Sequence, residues 1–112
     1  MKNKIEYRYD GKDFGDVRKT FLSLTEKTYP HGHEEEVLGL LPELMNDQFG
    51  NYYRIISDRP TTMFTSHLDT ADHQQNKTER YSTIENGIEN ITTGGESILG
   101  ADDKAGVTVM LY

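Results

Sequence analysis

The pentapeptide Tyr29-Pro30-His31-Gly32-His33 limits the fold most sharply. It interrupts two apolar patterns of helical period and keeps any helix in the first half of the chain short. Before it, Asp16 has the character of a helix N-cap, and Val17, Phe21 and Leu24 follow at i, i+4 and i+7. After it, Glu34, Glu35 and Glu36 place negative charge where the first turn of a helix favours it. Val37, Leu38, Leu41, Leu44 and Met45 continue an apolar face, with Pro42 inside it, so a kink or a restart is expected there. Residues 1–15 are polar and contain Gly and Asp, and read as a loose lead-in.

The middle of the chain changes period. Residues 46–51 read as a turn, residues 52–56 and 61–66 as two neighbouring strands, and Ser57-Asp58-Arg59-Pro60 as the turn between them. Residues 71–90 are polar and read as a surface excursion. Ile91-Thr92-Thr93 reads as a short strand, Gly94-Gly95 as a turn, and residues 100–106 as a turn-rich segment before the apolar run 107–112. Helical and strand periods in one chain predict an α/β fold. The apolar run reaches the last residue without a polar tail, so residues 16–112 are expected to be the N-terminal portion of a longer domain. Leu, Ile, Val and Phe number 24 of 112, so the core should be lean.

Charge and cysteine content narrow the chemistry. The net charge is −7, which speaks against nucleic-acid binding and against docking on anionic membranes, and suits a site for cations. With no cysteine, any metal must be held by His, Asp and Glu. No apolar run reaches the roughly 18 residues of a membrane span, and the N-terminus has no secretory h-region, so a cytoplasmic protein is expected.

Two short motifs carry reactive residues. Ser66-His67-Leu68-Asp69-Thr70 closes the second expected strand. There His67 and Asp69 share one side, so Asp69 can hold one imidazole nitrogen while the other binds a metal. A His and an Asp in a solvated loop would read the same way. Leu99-Gly100-Ala101-Asp102-Asp103-Lys104-Ala105-Gly106 sets two carboxylates among small residues ahead of an apolar segment. A carboxylate there can bridge two ions, or serve as an exposed N-cap beside a lysine. His31, His33 and His73 sit in polar loops and read as exposed.

Taken together, these motifs resemble the co-catalytic zinc exopeptidases and amidohydrolases that include peptidase T, carboxypeptidase G and aminoacylase. In that family H-x-D-T closes a strand and a G-A-D-D-K-A-G-like segment supplies a bridging carboxylate. The L-G-A-D-D-K-A-G variant looks closest to the peptidase T branch. So do Ile91-Thr92-Thr93-Gly94-Gly95-Glu96-Ser97-Ile98-Leu99, Gly32-His33-Glu34-Glu35-Glu36-Val37 and Asp47-Gln48-Phe49-Gly50-Asn51. The resemblance implies the N-terminal part of a three-layer catalytic domain with a mixed, mainly parallel sheet. It implies His67 as a terminal zinc ligand, Asp69 as the catalytic-site residue that orients it, and Asp102 as the carboxylate between two zinc ions. It also implies a cis peptide between Asp102 and Asp103. Cobalt or manganese could replace zinc at His/Asp sites.

The function implied is metal-dependent hydrolysis of short peptides by an aminopeptidase- or tripeptidase-like enzyme, with homodimerisation through a lid domain not present here. The general-base Glu and the remaining ligands are expected beyond Tyr112. Two other readings stay open: a zinc amidohydrolase acting on N-acyl amino acids, and a catalytically inactive fragment or binding module.

Overall fold

The computed structural model describes residues 2–9, 11, 12, 14–95 and 97–112. In chain order the elements are β1 (Asn3–Lys4), α1 (Val17–Leu24), α2 (Glu34–Val37), β2 (Met45–Asn46), β3 (Tyr52–Tyr53), β4 (Tyr81–Glu85), β5 (Ile88–Thr92) and α3 (Ala101–Leu111). Helices and strands are both present, as expected for a mixed α/β chain.

Helix α1 starts where its capping residue directs. The Asp16 carboxylate accepts a hydrogen bond from the Lys19 amide at 2.9 Å, satisfying one of the free N–H groups of the first turn. Its buried face differs from the expected one. Thr20, Leu22, Ser23 and Leu24 are buried, whereas Val17 is exposed. The Arg80 guanidinium explains this: it is buried and donates to the Leu22 carbonyl and to Thr25 Oγ1 at the end of the helix. A buried cation needs those oxygens, so helix and guanidinium pack together.

The second expected helix is shorter than its apolar pattern. Helix α2 passes into a single 3-10 turn, Leu38–Leu40, and Leu41 is extended at φ −105° and ψ 163°. Pro42 disfavours the helical region for the residue before it, so the helix ends rather than kinks. Met45 therefore belongs to β2, which pairs antiparallel with β3 across a turn knotted by Asp47. The Asp47 carboxylate accepts from the Phe49 and Asn51 amides at 2.8 and 3.0 Å, and Gly50 takes φ +84°.

The largest sheet has the order β1-β4-β5 and is antiparallel throughout. All strand pairings among the described residues are antiparallel, so the mainly parallel sheet expected above is not what these residues form. Residues 61–66, expected as a strand, form no strand and have no ladder partner among the described residues, and Met63 and Phe64 are exposed. Conversely, much of the expected excursion is the β4–β5 hairpin. Its two-residue turn, Asn86-Gly87, has φ +51° and +77°, the geometry of a type I′ turn. The N-terminal lead-in is partly docked, because β1 lies on the edge of this sheet.

The core is small. Leu24, Tyr29, Val37, Leu41 and Val107 are buried together, with Leu38, Leu40, Leu44, Leu68 and Leu111 packed against them. Leu68 lies in the first reactive motif and Val107 directly follows the second, so one apolar cluster anchors both. No helix among the described residues is long and apolar enough to cross a membrane.

Candidate metal centre

Leu68 turns inward onto the core, which sends the side chains of His67 and Asp69 outward. His67 Nδ1 lies 3.1 Å from Asp69 Oδ1 and 3.0 Å from the Asp69 carbonyl. With Nδ1 donating there, Nε2 is left for another partner, and a carboxylate partner requires a proton on Nε2 as well. That partner position is occupied by Asp102: Nε2 lies 3.0 Å from Asp102 Oδ1. Residues 35 apart in sequence are thus in direct contact.

The contact belongs to a register of three. Ser66 Oγ donates to Asp103 Oδ2 at 2.8 Å and lies 3.1 Å from the Asp103 carbonyl. His67 meets Asp102, and Lys104 Nζ donates to the Leu68 carbonyl. Residues 66, 67 and 68 therefore face 103, 102 and 104. Next along the chain, Thr70 is buried and bonded to Tyr29 in both directions, N–H to carbonyl at 2.6 Å and Oγ1 from the Tyr29 amide at 3.1 Å.

The two aspartates have different tasks. Asp103 folds back on its own helix and accepts the Gly106 amide at 3.1 Å while holding Ser66. Asp102 lies before the regular turns of α3, and its side chain is 96% exposed. The peptide between them is cis, as the resemblance implies. Of the two carboxylates, Asp102 is the exposed one and Asp103 the one engaged within its own helix.

Both nitrogens of His67 face acceptors, which favours the doubly protonated ring. The Asp102 carboxylate is the largest influence raising its pKa, with the Asp69 groups adding to it. Burial pushes the Lys104 ammonium down, while Asp69, Asp103 and Glu34 oppose that push. Burial also moves the Tyr29 phenol up to about 12.

His67 and Asp102 offer two donors of the kind a zinc ion takes. Donors about 2.0–2.2 Å from a tetrahedral ion sit about 3.3–3.6 Å apart, so Nε2 and Oδ1, now at a hydrogen-bond distance of 3.0 Å, would separate by a few tenths of an ångström to share one ion. They supply one imidazole and one carboxylate, and a zinc site needs three or four protein ligands.

Among the described residues, the group of three whose ligand atoms converge within 4.8 Å is His31, Glu34 and Asp69. His31 Nδ1 lies 3.1 Å from Glu34 Oε1, and the His31 side chain is 94% exposed. Glu34 Oε2 is already engaged by the Gly32 amide. His33 pairs with Glu36, and His73 is exposed. Glu96, part of the stretch that resembles the peptidase T branch, lies outside the described residues. The roles of Ser66, Thr70 and Lys104 were not assigned from the sequence. Their positions beside His67, Asp69 and Asp103 were the only available signal. No family model, curated protein or solved structure matches the chain.

Proposed function

We propose that the chain carries the first half of a dinuclear zinc centre in a three-layer peptidase domain that hydrolyses short peptides. The observation behind this reading is the convergence of His67 Nε2 on the exposed Asp102 carboxylate across 35 residues. An oriented imidazole beside an exposed carboxylate is a donor set for a divalent ion. In this reading bound zinc would supply a Lewis acid for the scissile carbonyl and for a water. His67 and Asp102 would hold it, and Asp69 orients the His67 ring.

This reading needs further ligands and a general-base carboxylate besides His67 and Asp102. The test uses the natural gene product with its mass determined, reconstituted with zinc and offered di- and tripeptides beside N-acyl amino acids. Amino-acid release from the peptides is expected, and His67→Ala or Asp102→Ala should abolish it. Turnover confined to the N-acyl compounds would assign an amidohydrolase instead, and unchanged turnover in either variant would refute the site.

A further inference from the structure

Lys104 is a buried charge for which the proposed chemistry has no use. The residue is 1% exposed, yet it carries an ammonium group. Such groups are rarely fully buried unless partnered. Its hydrogen-bonded partner is the Leu68 carbonyl, in the residue between His67 and Asp69. The Tyr29 ring lies 5.4 Å from Nζ, which adds a cation–π contact. Lys104 itself follows Asp102 by two residues. Its side chain therefore bolts the backbone that carries His67 and Asp69 to the backbone that carries Asp102.

Core packing alone does not call for this arrangement. A methionine would fill similar space without the desolvation penalty of an ammonium. Removing the donor would leave the Leu68 carbonyl without it and free the 67–69 segment to rotate. A small rotation there separates Nε2 from Oδ1. Ser66 and Asp103 brace the other side of the same contact, but through partly exposed groups.

We propose that Lys104 is a positioning residue that sets the His67–Asp102 spacing, and thereby the metal affinity of the centre, without touching the metal. The inference rests on the dinuclear-centre reading. Two readouts separate the failures. In the metal-free chain, the nuclear Overhauser effect between the His67 ring protons and the Asp102 β-protons reports spacing alone. Zinc titration reports affinity.

These 112 residues contain no cysteine, so Lys104→Cys in this chain can be aminoethylated at that single thiol under denaturing conditions and refolded. This rebuilds a near-isosteric ammonium. Lys104→Met and unmodified Lys104→Cys should lose the Overhauser effect and bind zinc 10- to 100-fold more weakly, the range typical for groups that orient metal ligands. Lys104→Met should melt no lower than the parent, and aminoethylation should restore both spacing and affinity. The proposal is overturned if both variants keep the parental spacing and affinity. It is equally overturned if affinity and melting temperature fall together, which would assign Lys104 to plain packing. A parent chain that shows the Overhauser contact but binds no zinc would instead refute the metal centre and leave the spacing role standing.

Discussion

His67 Nε2 and Asp102 Oδ1 lie 3.0 Å apart, and at that distance a proton between them occupies the place a metal ion would take. Metal binding must therefore displace that proton. Asp102, with Asp69, raises the imidazole pKa, so the protonated form persists to higher pH than in an ordinary histidine. Below that raised pKa the apparent zinc affinity should rise about tenfold per pH unit, and level off above it. Calorimetric titration between pH 5.5 and 8 reads this slope. A flat profile would place the metal elsewhere.

Asp102 and Asp103 should behave oppositely despite being neighbours. Asp102→Ala removes an exposed side chain and should change unfolding free energy by less than about 0.5 kcal/mol while removing zinc binding. Asp103→Ala removes a helix-capping carboxylate and the Ser66 contact, and should cost about 1–2 kcal/mol. Urea denaturation of both variants, read beside zinc titration, separates the two tasks.

Gly106 leaves room for that capping carboxylate. A Cβ built there would lie 2.4 Å from Asp103 Oδ1. Gly106→Ala should therefore expel the carboxylate and cost about 1–2 kcal/mol, although alanine is the better helix former. A gain in melting temperature would show that the Asp103–Gly106 contact contributes nothing.

The Arg18–Glu89 pair should give a modest acid limb to stability. Arg18, and then Ser82, hold the Glu89 carboxyl down to about 2 from 4.5. A depressed carboxylate contributes stability above its ordinary pKa and loses it as pH falls from about 4.5 through about 2. The pair is largely solvent-facing, so the effect should stay below about 1 kcal/mol and shrink in high salt. Glu89→Gln should flatten this limb. An identical acid limb in the variant would assign acid unfolding to other carboxylates.

What the sequence disclosed was mostly local. The Asp16 cap, the break at residues 29–33 and the Asp47 turn each depend on a few neighbours, and each appears where expected. The buried face of α1 depends on Arg80, far away in sequence, and could not be read from periodicity. Residues 61–66 have strand composition but no partner among the described residues, and a strand exists only through its pairing. The Asn86-Gly87 turn was a legible hairpin signal, masked by the polar character of its surroundings. At the site, His67 and Asp69 share one side as their i, i+2 spacing suggests, although residues 61–70 form no strand. The support from Lys104 was not legible, because it requires α3 to pack on the core.

The most direct test of the metal centre is a zinc titration of the isotopically labelled natural gene product, followed by nuclear magnetic resonance at His67 and Asp102. The account predicts saturable shifts of both residues in step, together with Asp69, that vanish in His67→Ala and in Asp102→Ala. Shifts confined to His31 and Glu34, or no shifts at any zinc concentration tested, would contradict it.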